Sequence, residues 1–166
     1  MIQLINKTDF IGVVPMSVNV PSANVDLHRK DAQSIDTIPI MPTRTGEVSI
    51  VTDIENTNAG ARPQLFAFYN SVLKPYMICM AHARFLLWQG NNITQFGIVM
   101  NQEDTSDPVS DRARAELIAS SEHKANVYLA QVTSALKAAN YTFDTVVYSY
   151  ESCADKPRAK TRIHAV

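Results

Sequence analysis

Five side chains near the end of the chain carry the clearest chemical pattern: Lys156, Arg158, Lys160, Arg162 and His164 occupy every second position. In an extended backbone alternate side chains share a side, so these groups form one cationic stripe. Residues 1–155 hold 11 basic and 16 acidic residues, net −5, and the remaining four Lys and Arg all belong to the stripe. Charge is therefore segregated along the chain. Such a stripe suits an acidic protein surface or strand addition to a partner. It also suits a phosphate backbone, although four cations give a duplex only modest affinity and a shallow salt dependence. Glu151 to Val166, fully extended, reaches roughly 50 Å at about 3.3 Å per residue. A solvated terminus is the plain alternative.

The other reactive side chains do not assemble into a known site. His28, His82, His123 and His164 lie in four different segments with no i, i+4 pair, which excludes a zinc site of the H-E-x-x-H kind. Glu103, Asp104, Asp107 and Asp111 gather at an expected helix start, where carboxylates complement the helix dipole without any metal. The glycine patterns that cradle phosphates and the serine elbow of hydrolases are absent from the sequence. Cys79 and Cys153 are too few for a disulfide framework or a thiolate zinc site. Cys79, among Met77, Ile78 and Met80, is expected to be a buried thiol, and His82 a satisfied core or interface histidine. We therefore expect no catalytic residue, no metal and no cofactor.

The elements that must position these groups follow from composition and periodicity. The chain has 166 residues, 46% hydrophobic and 19% charged, which fits one domain with a real core. A formal net charge of −1 excludes a uniformly basic nucleic-acid binder. The most apolar stretch, Val72 to Trp88, is broken by Lys74, His82 and Arg84, whereas a membrane span needs about 20 mostly apolar residues. No membrane partner is expected. Residues 1–7 lack the basic-then-apolar pattern of a signal peptide, so the expected product is soluble and intracellular.

Three parts emerge. Residues 1–21, with Val13, Val14, Val18 and Val20 beside Pro15 and Pro21, predict an extended N-terminal arm lying against a neighbour. Residues 22–140 predict a helical domain. Its first helix spans Ser22 to Ile38, with Val25, Ala32 and Ile35 on the inner face and Asp26, Arg29, Lys30 and Asp36 pointing elsewhere. Met41 to Gly60 is expected to be a loop with a short strand at Val48–Val51. A long helix from Arg62 to Gln89 follows, with Pro63 in its first turn and a kink at Pro75. Apolar residues cover more than one of its faces, so protein must surround it. Asn91 to Thr105 predicts a short hairpin or a docking loop. A second long helix opens at Asp107-Pro108 and runs to Ala139, its apolar stripe formed by Val109, Ala113, Leu117, Ala125, Tyr128, Val132 and Leu136. Residues 141–166 predict a strand over Tyr141–Tyr150 followed by the basic arm. The fold class is thus mainly α: a small helical bundle around two long helices, with a short β segment and extended N- and C-terminal arms.

Several stretches resemble one family. Leu73-Lys74-Pro75-Tyr76, Ala81-His82-Ala83-Arg84-Phe85-Leu86, the spaced Gly90, Asn92, Thr94, Gln95, Gly97 and Val99, and Asp107-Pro108-Val109-Ser110-Asp111 are similar to proteins from phages and prophages of Bacteroidetes, including crAss-like ones. Leu4 to Phe10, and Asp31-Ala32-Gln33 with Asp36 and Pro39, extend the likeness, which covers about Ile2 to Asn140. Pro42 to Val48 depart from the family's pattern at that place. The resemblance implies a head–tail connector, also called a head completion or adaptor protein. Such a structural virion protein forms a ring, commonly of about twelve copies, on the portal. The implied partners are the portal protein, neighbouring copies, a downstream tail or neck protein and DNA passing through the channel. The implied place is the virion neck, after synthesis in the host cytoplasm. Lys156, Arg158, Lys160, Arg162 and His164 are then expected to bind portal or a neighbouring subunit. The alternative is a small nucleic-acid-binding protein that uses the same tail.

Overall fold

The computed structural model describes residues 3–16, 20, 22–44, 48–88 and 111–150, together with the backbone of 91–94 and 97–100. Ser22–Asp31 form α1, which continues through a π-helical stretch, Ala32–Thr37, into a 3-10 turn, Ile38–Ile40. Thr43–Arg44 (β1) and Val48–Ser49 (β2) pair antiparallel, and Ile50–Asn56 form α2. The long helix is assembled from Pro63–Phe68 (α3), a second π-helical stretch at Tyr69–Leu73, and Lys74–Trp88 (α4). Asn91–Thr94 (β3) and Gly97–Met100 (β4) make an antiparallel hairpin, Asp111–Ala138 form α5, and Thr142–Phe143 (β5) pairs with Val146–Val147 (β6). The fold is mainly α, with two long helical runs at its centre.

Where a kink is expected at Pro75, the helix carries a π-helical stretch just ahead of the proline. Proline lacks an N–H and its ring crowds the carbonyl four residues earlier, here Ser71. Ser71 lies inside the π-helical stretch, whose wider turn redirects the carbonyls ahead of the proline. Beyond it, α4 is buried continuously from Tyr76 to Ala83, and again at Phe85 and Leu86. The expectation that protein surrounds this helix holds, and this chain's own elements do much of the surrounding. Alpha5 covers one side of α4, while α1 and its π-helical extension cover another. The N-terminal segment contributes too.

That segment is the main departure from the expected organisation. Residues 3–16 are packed on this chain's own core. Lys7–Phe10 form a 3-10 turn, with Ile5, Phe10 and Val14 buried in the same cluster as Leu73, Tyr76 and Met77. Polar contacts fix it. The Tyr69 hydroxyl donates to the Leu4 carbonyl at 2.5 Å, Leu4 N–H donates to Gln33 Oε1 at 3.0 Å, and Lys74 pairs with Asp9 at 2.8 Å. Val13, Val14 and Val20 of this segment pack into or against the domain core, where their burial is favourable, while Ile11 stays exposed.

Three smaller corrections have local causes. Ile50 and Val51, expected to end a strand, begin α2, because the Ser49 side chain accepts from Thr52 N–H at 3.2 Å and caps a helix there. Capping outweighs the β preference of a branched run. On the first helix Ile35 faces outward, 56% exposed, whereas Asp36 faces inward. The spacing from Val25 through Ala32 reaches 36, eleven residues on, so the inner register falls on the charged letter. The strand expected over Tyr141–Tyr150 is a hairpin turning at Asp144 and Thr145, both in the left-handed region with φ of 47° and 73°. Alpha5 hands over to it through a reversed cap: Asn140, φ 47°, follows the helix, Tyr141 N–H reaches the Leu136 carbonyl at 2.8 Å, and Asn140 N–H reaches that of Lys137 at 2.9 Å.

Candidate functional site

The cationic stripe Lys156, Arg158, Lys160, Arg162 and His164 lies outside the described residues, as do the acidic residues Glu103, Asp104 and Asp107 and the cysteine Cys153. What the structure does place is the ground from which the stripe departs. Ser149 bridges to Thr43: Thr43 N–H donates to the Ser149 carbonyl at 3.0 Å and Ser149 N–H donates back at 2.7 Å. Ser149 is thereby fixed beside β1, which has β2 on its other edge.

A charged network holds that corner. Asp53 of α2 is buried and accepts the Tyr148 hydroxyl at 2.6 Å. Arg62 donates to the same hydroxyl at 2.9 Å and to the Phe143 carbonyl at 3.3 Å, and lies 3.7 Å from Asp53. Arg44 approaches Asp53 at 3.2 Å. Burial and the Asp53 carboxylate push the Tyr148 phenol up to about 12, so it stays a donor at ordinary pH. At the turn, Asp144 accepts from Gln64 N–H and Leu65 N–H, each at 3.0 Å, while Gln64 Oε1 accepts Asp144 N–H at 3.2 Å. The first free N–H groups of α3 are thus capped by a residue eighty positions away, and the carboxylate also meets the positive end of the helix. Replacing Asp144 with alanine is expected to cost about 1–2 kcal/mol. Equilibrium denaturation of the full chain measures it, with Asp144→Asn recovering part of the loss.

Two further polar pairs sit inside the bundle. Arg84 donates both Nε and Nη2 to Asp36, each at 2.7 Å, a two-pronged pair that joins α4 to the first helical run. The Tyr76 hydroxyl adds a bond to the Asp36 carbonyl at 3.3 Å. His82 Nδ1 lies 2.8 Å from Ser121 Oγ of α5, with both side chains buried. The main-chain carbonyl of Pro15, in the N-terminal segment, also acts on the ring and favours its charged form. His82 is therefore the satisfied core histidine expected from its apolar surroundings. Burial, reinforced by Lys124, lowers it to about 4 against the opposing pull of the Pro15 carbonyl.

A serine–histidine pair invites comparison with a nucleophile and its base. Ser121 stands mid-helix and His82 is 1% exposed, so neither atom meets solvent where a substrate could approach. The pair ties together α4, α5 and the N-terminal segment. Cys79 is buried as expected, its thiol pushed up to about 11, which keeps it protonated and unreactive. His123 is exposed and His28 is buried against Phe85, ring centroids 6.1 Å apart. Among the described residues no three His, Cys, Asp or Glu side chains come close enough to hold a metal ion, and no helix is long and apolar enough to cross a membrane.

The outer surface has apolar features of its own. Leu27 and Ile35 stand on the outside of the first helical run, 62% and 56% exposed. They are eight residues apart, and the wider π-helical turn between them brings that spacing nearer to two full turns. Trp88 ends α4 more than half exposed, and Val127 lies outward on α5. On α5 the inner stripe is Ser121, Ala125, Leu129, Val132 and Leu136; of the residues expected inside, Leu117 is exposed, Tyr128 is half-buried and Val109 lies outside the described residues. Ser121 was legible only as a polar letter at an inner position of that stripe. The pairing across 39 residues had no local signal.

A mainly α domain knitted by buried polar pairs, with large apolar groups left exposed on different elements, is the class defined by this geometry. Residues 50–156 match the Family of unknown function (DUF6712), and the chain belongs to that family. No curated protein matches it. No solved structure matches it either.

Proposed function

We propose that this chain is a structural subunit of a phage head–tail connector ring. It docks on the portal protein, links capsid to tail in the virion neck, and performs no catalysis of its own. About twelve copies close such a ring. A ring contact is head-to-tail and joins unlike patches. The observation that carries the reading is that large apolar side chains stand exposed on two different elements: Leu27 and Ile35 on the first helical run, and Leu117 and Val127 on α5. The motif resemblance from Leu73 to Asp111 supports it. The apolar girth of α4, which also invited an assembly reading, is largely accounted for by this chain's own packing and adds nothing to the case.

In this mechanism the helical body sets the ring geometry, and the stripe at Lys156, Arg158, Lys160, Arg162 and His164 engages the portal or the next subunit. Individually weak contacts gain through effective concentration once many copies sit on a symmetric partner. The downstream tail or neck protein takes the opposite face, and the net −5 of residues 1–155 does not trap passing DNA. Light scattering and low-resolution imaging of the full chain, with and without its portal protein, test the proposal. The expected result is a closed ring, stabilised by portal. A persistent monomer that leaves portal unbound overturns it. So does tight, salt-sensitive duplex binding abolished by removing residues 156–166, the signature of a nucleic-acid-binding protein.

A further inference from the structure

We infer that the β3–β4 hairpin is the element through which copies of this chain join edge to edge, an inference that rests on the ring reading above. Among the described residues its two strands pack chiefly on each other. A lone two-stranded hairpin is marginal in water and needs further strands or a covering surface. Exposed strand edges are ordinarily guarded by lysines, other charges or proline. Between Arg84 and Glu103 this chain carries neither a charged residue nor a proline. No charge or proline guards either edge, and among the described residues no third strand pairs with the hairpin.

The register says what those edges offer. Thr94 pairs with Gly97 beside the two-residue connection, followed by Ile93 with Ile98, Asn92 with Val99, and Asn91 with Met100. In a two-residue hairpin the pair flanking the turn exchanges both backbone bonds, and the kinds then alternate. Thr94–Gly97 and Asn92–Val99 therefore bond inward. Asn91 and Ile93 on β3, and Ile98 and Met100 on β4, turn their N–H and C=O groups outward. Each edge presents two donors and two acceptors at a two-residue spacing.

The occupant that satisfies both edges at once is the same hairpin from another copy. Beta4 of one copy lies beside β3 of the next in the antiparallel sense, and repetition around a ring leaves no edge bare, as in a closed barrel. An unrelated strand would fill one edge and leave the other open. Four residues per edge is also far below the roughly 20–30 residues a side of a stable pairwise interface. The contact is therefore suited to a closed ring and not to an isolated dimer.

The test is the mass and shape of the full chain carrying Ile98→Pro, which removes an outward N–H and leaves the inward bonds of the hairpin in place. Met100→Lys, which installs a guarding charge on the same edge, is the second variant, and Asn92→Thr, uncharged and at an inward-bonded position, is the control. Helical circular dichroism melts confirm that the body is intact. We expect wild type and control to form rings, and both edge variants to need at least tenfold more protein to assemble. Wild-type rings that persist unchanged in both edge variants overturn the hairpin inference and leave the connector reading standing. A wild type that never assembles overturns both.

Discussion

Asp53→Ala is expected to destabilise the domain by about 1–3 kcal/mol, the usual cost of leaving buried donors without their acceptor. Asp53 is 5% exposed and receives the Tyr148 hydroxyl, Arg44 and Arg62 on one carboxylate oxygen. Removing it takes the acceptor from the buried Tyr148 hydroxyl and leaves the mostly buried Arg62 with Asp144, 3.6 Å away, as its remaining carboxylate. The loss is a large share of a typical folding free energy of about 5–15 kcal/mol. Tyr148→Phe removes one spoke of the same network and is expected to cost about 1–3 kcal/mol. A useful contrast is Arg112–Glu116 on α5, an ion pair on the helix surface whose removal is expected to cost under about 0.5 kcal/mol. Urea denaturation of the three variants measures these values. A loss below about 1 kcal/mol for Asp53→Ala would show that the corner does not depend on this carboxylate.

The second large effect is on acid stability. His82 titrates near its ordinary 6.5 in the unfolded chain and at about 4 in the folded one. Between these values the unfolded chain binds the proton and the folded chain does not, so protonation favours unfolding. The stability tied to neutral His82 is complete above 6.5, falls as the pH drops toward 4, and then levels off. A separation of that size corresponds to roughly 3 kcal/mol. Burial is the main cause, and Lys124 adds to it while the Pro15 carbonyl opposes. His28, lowered by burial and by Arg84 against the pull of Asp31, acts in the same direction. Comparing denaturation free energies of wild type and His82→Gln across this range isolates the contribution, since the carboxylates are common to both. Wild type should fall more steeply. Parallel curves would exclude His82 as the titrating group.

Much of the architecture was legible in the sequence because the signals were local. Pro63 at a helix start, the apolar run through Met80 and the stripe from Ala125 to Leu136 specify their helices by composition and spacing. What escaped were the places where a single letter misleads. Asp36 looks like a solvated surface residue until Arg84, 48 positions on, supplies its partner. The β-branched run Ile50-Val51-Thr52 favours a strand until Ser49 caps it as a helix. The valines before Pro15 look like an arm until the core they enter is known. The polar corner joins Asp53 to Tyr148 across 95 residues, and no periodicity reports such a meeting. The cationic stripe was the plainest sequence signal, and it belongs to residues beyond those the fold describes.

The two π-helical stretches carry a consequence for how this fold tolerates change in length. Each holds a surplus residue within its helix, at Ala32–Thr37 and Tyr69–Leu73, on two runs that touch where Tyr76 meets Asp36. Elsewhere in a helix, losing or gaining one residue swings everything downstream by about a hundred degrees and would carry Cys79 or His82 out of the interior. At these stretches the count can change by one while the inward-facing set keeps its bearing. They act as expansion joints, letting the helical spine vary in length without turning its contacts away from their partners.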